Sequence, residues 1–354
     1  MLQKEALEIM KMGYNIYLTG EAGTGKTYIL NTYINFLKSK HIQVGITAST
    51  GIAATHLDGV TIDSWSGLGM RDNLTDTDIR ELSHKFHLKK RLLNTRVLII
   101  DEISMIHGCR FDAIDNLLRK IRGNTLPFGG LQVILCGDLF QLPPVSRENK
   151  YIDFIFKSKA WQYLDLRICY LHEARRQNDC ELLQILHDIR QNHVSQTTLD
   201  RLLIAAKQTV SQTNIATKLY THNVDVDAIN KGELDKIEGE SHVYNMTALG
   251  PDKLIQAMKK TCLAPEVLEL KKDALVMFVR NNYKKGYFNG TLGKVAGFNG
   301  NDDPIIHTFD NRKIHVEQAA WTIMDGDKII AQITQVPLRL AWAITIHKSQ
   351  GMTL

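Results

Sequence analysis

Cysteine is scarce in this 354-residue chain, and the five present, Cys109, Cys136, Cys169, Cys180 and Cys262, never fall in C-x-x-C spacing. An odd, scattered set argues against a zinc site and for a reducing compartment. Long apolar runs are missing as well: none approaches the length of a membrane span, and the opening Met1-Leu2-Gln3-Lys4-Glu5 has no signal-peptide core. A soluble, intracellular protein is expected, cytoplasmic and, in a prokaryote, nucleoid-associated. Internal repeats and low-complexity segments are also lacking, which excludes a repeat architecture. Charge of one sign is weak, since a net +5 suits a polyanionic partner and an ordinary soluble enzyme equally well.

What the chain does have is apolar content and one strong motif. With 44% apolar residues it can bury two ordinary cores or more, so more than one domain is expected. The run Gly20-Glu21-Ala22-Gly23-Thr24-Gly25-Lys26-Thr27 fits the phosphate-binding pattern G-x-x-x-x-G-K-[ST] without mismatch. Residues 14–19 before it read as a short buried strand, and residues 28–34 after it have helical spacing. Glycines let the backbone wrap so that successive N–H groups and a helix N-terminus face phosphates. Lys26 then neutralises β- and γ-phosphate oxygens, and the Thr27 hydroxyl can ligate Mg²⁺. The plainer reading, a glycine-rich strand-to-helix turn, is set aside because the full pattern is rare by composition and the flanking strand and helix fit a P-loop.

Taken in order, residues 2–12 read as an amphipathic helix leading into the P-loop strand, and residues 43–48 as a second parallel strand. That strand ends in Ser49, Thr50, Gly51, Ile52, Ala53 and Ala54, small residues that suit a sugar-phosphate backbone or a plain turn. Residues 66–95 form an insertion whose basic run, 84–91, is either a solvated helix face or a nucleic-acid contact. Residues 96–102 are an apolar strand ending in Asp101 and Glu102, the Walker B arrangement: Asp101 to hold Mg²⁺, Glu102 to activate water. Alone, that acid pair would read as a helix cap. Residues 131–136 lead into a loop stiffened by Pro143 and Pro144, on which Gln141 is a neutral group able to sense a γ-phosphate. After Trp161 the alternation restarts, with strands at 166–171 and 218–223 and helices at 180–190 and 224–237, implying a second α/β layer without its own P-loop. Between 295 and 336 short β-rich runs suggest a small barrel or β-insertion.

The motifs GEAGTGKT, TASTGIAA, TIDSWSGL, DEISM, GDLFQLPPV, SKAW, RRQ, GYFNGTLG and AITIHKSQGMTL occur in one order over nearly the whole chain. Together they resemble the superfamily 1B DNA helicases of the Pif type, the petite integration frequency family. RecD-type helicases share the scheme, but the pairing of DEISM with HKSQGMTL is closer to the Pif type. The resemblance implies an α/β protein of two RecA-like P-loop domains with parallel sheets, a small wedge insertion in the first and a β-barrel-like insertion in the second. The expected bounds are 1–165 for the first domain, with the wedge at 66–95; 166–297 and 333–354 for the second; and 298–332 for the barrel, resembling a Src-homology fold.

The same resemblance implies ATP and Mg²⁺ as cofactors, with Lys26, Thr27, Asp101, Glu102, Gln141 and the arginine finger Arg176 as the catalytic set. Nucleotide contacts are expected from Gln3, which would read adenine, and from Gly20, Glu21, Ala22, Gly23, Thr24, Gly25, Lys26, Thr27 and Tyr28, with Thr27 and Asp101 on the metal. Thr47, Ser49, Thr50 and Gly51, together with His347, Lys348, Ser349 and Gln350, are expected to grip single-stranded DNA. ATP binding between two domains would favour a closed cleft and hydrolysis would reopen it, giving 5′-to-3′ movement along one strand and unwinding of tailed duplex or G-quadruplex DNA. Repair, replication and telomere maintenance are settings in which such a motor works. In the family a further helix with a second arginine finger follows the HKSQG motif, whereas no arginine follows Arg339 here. The alternative expectation is therefore a nucleotide-switched single-stranded DNA binding module with weak turnover. A P-loop ATPase acting on protein or small-molecule cargo is a third.

Overall fold

Uninterrupted apolar runs such as 97–100 and 133–136 lack the alternation of a strand wet on one face, and each lies in a parallel strand covered on both. The computed structural model describes residues 1–350 apart from 22, 56, 70–73, 145–151, 173–179, 208–216, 283 and 326–327. The chain divides into two compact units, Met1–Gln208 and Thr209–Leu354.

The first unit is built on β1 (Ile16–Gly20), β2 (Val44–Ala48), β3 (Val60–Thr61), β4 (Val97–Asp101), β5 (Gln132–Cys136) and β6 (Arg167–Leu171). They form one sheet of order β3-β2-β4-β5-β1-β6, parallel throughout. All carboxyl ends therefore leave one edge, with the exits of β4, β5 and β1 side by side. Alternation along the strands splits the interior into two cores: Leu98, Ile100, Val133 and Leu135 face one, while Ile16, Leu18, Val97, Ile99 and Ile134 face the other.

Helices cover both faces. They are α1 (Gln3–Lys11), α2 (Lys26–Ser39), α3 (Gly51–Thr55), α4 (Ile62–Ser66), α5 (Asp76–His84), α6 (Phe86–Asn94), α7 (Gly108–Arg122), α8 (Lys159–Tyr163), α9 (Cys180–Arg190) and α10 (Gln196–Lys207). Ala6 and Met10 bury the inner face of α1 beside α2, where the Tyr33 hydroxyl donates to the Met10 carbonyl at 3.0 Å. The insertion expected at 66–95 is a helical pair, α5 and α6, whose Ile79, Leu82, Leu88 and Leu92 belong to the first core. Thr75 and Asp78 cap α5 reciprocally. The basic run lies on the outer side of α6, with Lys85, Phe86, Lys89 and Lys90 exposed.

One expected boundary moves. The strand at 166–171, expected to open the second domain, is β6, paired in parallel with β1 from Ile16↔Arg167 to Gly20↔Leu171. The first unit thus runs to 208 and not to 165. The motif residues following β6, Arg176 among them, lie outside the described residues.

The second unit contains β7 (Lys218–Tyr220), α11 (Asn223–Asp235), β8 (His242–Asn245), β9 (Thr247–Leu249), α12 (Asp252–Thr261), β10 (Val267–Leu270), β11 (Leu275–Phe278), β12 (Leu292–Phe298), β13 (Pro304–Thr308), β14 (Lys313–His315), β15 (Ala319–Asp325), β16 (Lys328–Gln335), β17 (Leu338–Leu340), β18 (Ala343–Thr345) and α13 (Ile346–Ser349). Only β7 and β18 pair in parallel among its described residues. The rest is antiparallel: a sheet of order β14-β13-β12-β11-β17, a three-stranded sheet β15-β16-β9 and the pair β10-β8. The β-rich part expected at 298–332 therefore extends from 242 to 340. Short strands joined by hairpins carry too weak a periodic signal for sequence to mark where they begin.

Candidate nucleotide-binding site

Three strand exits meet at the carboxyl edge of the first sheet, the usual place for ligands in open parallel sheets. After β1 the chain turns through the P-loop, where Gly25 takes a left-handed conformation (φ 83°) and caps α2. A side chain at Gly25 would collide with Gln3, its Cβ falling 2.2 Å from Nε2. Gln3 uses that space to donate to the Thr24 carbonyl at 3.0 Å, so the first residue of α1 braces the loop. The Thr24 hydroxyl donates back to the Glu21 carbonyl at 2.8 Å. Lys26 Nζ points into the loop, donating to the carbonyls of Gly20 (2.8 Å) and Glu21 (3.0 Å). Thr27 and Tyr28 are both exposed on the first turn of α2, while Ala22 lies outside the described residues.

After β4 come the two acids. Asp101 is 6% exposed. Burial pushes its carboxyl pKa up, against the Cys136 thiol and the Glu102 amide, which donate to it, and the charge of Lys26. Glu102 adopts a left-handed backbone (φ 51°, ψ 47°), turning the chain sharply out of the strand. Gly137 at the end of β5 permits this turn, because a Cβ there would meet the Ile103 amide nitrogen at 2.9 Å. The Asp101 carboxylate and the Thr27 hydroxyl, at exits on the same sheet edge, are both oxygen donors, which suits Mg²⁺. No group of three or more His, Cys, Asp or Glu side chains able to hold a metal occurs among the described residues. An ion held by Thr27 and Asp101 would therefore depend on nucleotide phosphates and water for its remaining ligands.

After β5, Asp138 is 2% exposed and organises its loop. Its Oδ2 accepts from Gln141 Nε2 at 3.1 Å and its Oδ1 from the Phe140 amide at 3.2 Å. Arg190, the last residue of α9, donates to both oxygens, Nη1 to Oδ2 at 2.6 Å and Nη2 to Oδ1 at 3.0 Å. Burial alone would raise the Asp138 pKa; the Arg190 hydrogen bonds and charge, with those from Phe140 and Gln141, outweigh it and hold the carboxyl below its usual range. Arg190 and Asp138 were not picked out from sequence. Asp138 sits inside the quoted GDLFQLPPV motif, but nothing in the chain links it to an arginine fifty-two positions later.

The expected DNA-gripping residues separate into unlike groups. Thr47 is fully buried and its hydroxyl donates to the Ile99 carbonyl at 2.7 Å, so it ties β2 to β4 and offers nothing to a ligand. This corrects the expectation for that position: pleating turns it into the sheet. Ser49, at the exit of β2, has its amide on the Asp101 carbonyl at 3.0 Å and a buried hydroxyl with no hydrogen-bond partner among the described residues. Thr50 accepts from the Ala53 amide at 3.2 Å, capping the short α3 that Gly51 begins. In the second unit His347, Lys348 and Ser349 lie on α13, with Gln350 directly after it. The Ser349 hydroxyl donates to the Ile346 carbonyl at 2.8 Å.

A P-loop braced by α1, a buried Asp101 next to Glu102 and a glutamine loop, all on one parallel-sheet edge, define a P-loop nucleotidase unit of RecA type. Residues 3–198 match the family model for PIF1-like helicase, and residues 253–298 that for the 2B domain of DNA helicase Pif1. The chain is 42% identical to the ATP-dependent DNA helicase Pif1 of Psychrobacter sp., the match covering all of this chain and 63% of that protein. Its fold is similar to Pif1 from Bacteroides sp in complex with ADP-AlF4 (TM-score 0.82, 31% identity, 99% of this chain and 84% of that one). It is also similar to the Bacteroides Pif1 helicase in complex with ADP-AlF3 and ssDNA (TM-score 0.68, 32% identity, 100% and 85%). The chain belongs to the PIF1-like helicase family. It spans about half to two thirds of the length of the curated relatives it matches. The family model also puts the 2B domain at 253–298, ahead of the 298–332 expected for the barrel.

Proposed function

We propose that this chain carries the motor core of an ATP-dependent DNA helicase that moves 5′ to 3′ on single-stranded DNA and unwinds tailed duplexes. The observation that carries the reading is the hydrogen bond from the Ser49 amide to the Asp101 carbonyl, at 3.0 Å. It joins the exit of β2, proposed to meet a nucleic-acid backbone, to the exit of β4, proposed to offer carboxylates to a nucleotide and its metal. A shift of Asp101 between nucleotide states thus reaches Ser49 through one peptide group. Lys26 neutralises phosphate charge, Glu102 orients and deprotonates the attacking water, and Gln141 faces the γ-phosphate from the adjacent loop. Thr27 and Asp101 would hold Mg²⁺, which would supply charge neutralisation at the phosphates. Arg176 is proposed as the arginine finger on the strength of its motif, and Ser49, Thr50 and the α13 residues as the track contacts.

The helicase names of the similar proteins and the nucleotide and DNA in the Bacteroides complex support this reading, while the direction rests on the family resemblance. ATP hydrolysis should rise on adding single-stranded DNA, and the chain should unwind a duplex with a 5′ tail but not a 3′ tail. A 5′-tailed G-quadruplex is a further proposed substrate for the same assay. DNA affinity should fall as salt rises, with little sequence preference, since backbone contacts dominate. Hydrolysis unaltered by DNA that nonetheless binds would leave a nucleotide-switched binding module. If DNA neither binds nor alters hydrolysis, the cargo is of another kind.

A further inference from the structure

Asp138 uses all of its acceptor capacity. A carboxylate offers about four lone-pair sites, and here Arg190 fills two, Gln141 one and the Phe140 amide one. The Arg190 guanidinium also lies over the Phe140 ring, 4.6 Å from its centroid, although that ring is otherwise 76% exposed. The far side of Arg190 faces the P-loop: its Nε is 3.9 Å from Glu21 Oε1, and His187, one turn earlier on α9, places Nδ1 3.4 Å from the same oxygen. One helix end therefore touches both loops that flank the phosphate position, the loop after β1 that carries Lys26 and the loop after β5 that carries Gln141.

We propose that Arg190 is a positioning residue that locks the Gln141 loop to the P-loop, through Asp138 on one side and Glu21 on the other, so that Gln141 and Lys26 meet the same nucleotide in fixed register. This rests on the function proposed above and deepens it by naming what holds the glutamine in place. A role as a mobile arginine finger is disfavoured, because withdrawing Arg190 would leave Asp138 buried and charged without its partner. The planar fork is what satisfies both carboxylate oxygens at once, and a lysine cannot reproduce it. Gln141 keeps one amide hydrogen and its Oε1 for phosphate or water, since only one hydrogen is spent on Asp138. The pairing also gives α9 a direct stake in nucleotide state: any shift of the glutamine loop on loss of the γ-phosphate pulls on Asp138, and hence on the end of this helix.

The test compares the unsubstituted chain with Arg190→Ala, Arg190→Lys, Gln141→Ala and the double variant Arg190→Ala/Gln141→Ala. Two quantities are read: kcat and KM for ATP hydrolysis with single-stranded DNA, and the affinity of a non-hydrolysable ATP analogue relative to ADP by fluorescence of labelled nucleotide. Arg190→Ala should lower kcat roughly 10- to 100-fold, as misplacement of a reacting group does, with a much smaller change in KM. Its preference for the ATP analogue over ADP should fall towards that of Gln141→Ala, Arg190→Lys should recover only part of both, and the double variant should be no worse than the worse single. Multiplying losses in the double variant, or unchanged kcat and preference in either folded Arg190 variant, would overturn the proposal. Should Arg190→Ala not fold, Arg190→Lys decides by the same two readouts. If the unsubstituted chain binds nucleotide without DNA-stimulated turnover, the helicase reading fails, and the nucleotide preference still tests the lock by itself.

Discussion

Arg190 in the first unit and Arg339 in the second are both withdrawn from water, with 13% of the Arg190 side chain and 8% of Arg339 exposed. Their electrostatic situations are opposite. Arg190 is held by two short hydrogen bonds to Asp138, which push its pKa up. Arg339 stands in β17 opposite Met277, with no hydrogen-bond partner for Nε or Nη1 among the described residues. Burial pushes its pKa down, and the charge of Asp227 opposes this. A buried charge is tolerated at the carboxyl edge of the parallel sheet because loops arriving there bring counter-charges and donors together. An antiparallel meander brings neighbouring strands together but collects no such set of loop ends. Pairing, more than burial, therefore separates arginines that do something from arginines that are merely enclosed.

The largest expected effect tests whether chemistry is confined to the first unit. Glu102→Gln should retain ATP binding yet hydrolyse ATP about 10² to 10⁴ times more slowly, while Glu269→Gln, on β10 of the second unit, should leave turnover unaltered. Parental turnover in Glu102→Gln would remove the water-activating role. Next in size is the cost of stranding a charge. Asp138→Ala leaves Arg190 without its carboxylate and should cost about 3–5 kcal/mol in denaturant unfolding. Arg339→Met removes a charge that lacks this pairing and should be neutral or stabilising by about 1 kcal/mol or more. A comparable loss in both variants would break the contrast between the two arginines.

The same pair sets a pH dependence. The folded Asp138 pKa is depressed, so its contribution to stability is complete above the unfolded value of about 3.9 and is lost as pH falls through the lower folded value. Asp138→Asn should accordingly flatten the loss of stability below about pH 4, as followed by acid titration of the fold; an unchanged acid limb would show that other carboxylates dominate. The smallest effect separates neighbours on one strand exit. Thr47→Val should cost about 1 kcal/mol of stability by removing the bond to Ile99 and leave DNA affinity unaltered. Ser49→Ala should weaken single-stranded DNA binding with little change in stability. Reversal of that pattern in a salt-controlled binding assay would return Thr47 to the DNA surface.

Much of the nucleotide site was legible because it is local. Two glycines, a lysine and a threonine in fixed spacing within eight residues define the P-loop, and an apolar run ending in Asp101 and Glu102 needs only the strand that carries it. Thr47 was misread for the complementary reason: its place in a motif says that the segment matters, while the pleat decides which side chains of that segment are sealed in. The strand at 167–171 was legible as a strand but not as the sixth of the first sheet, because pairing with β1 joins positions about 150 residues apart. The antiparallel sheets were read too short, since four- and five-residue strands give the period-2 pattern little room to register.

By itself the chain determined that residues 20–27 carry a phosphate-binding pattern between a strand and a helix, that acids stand at the end of another strand and that the whole belongs among helicase-like motifs in order. These properties depend on backbone conformations set by near neighbours in sequence. The tertiary structure alone decided that Gln3 braces the loop at Thr24, that Ser49 hangs from Asp101 and that Arg190 locks Asp138 beside Glu21. Each of those contacts is made between segments whose proximity exists only once the parallel sheet has brought its carboxyl ends to a single edge.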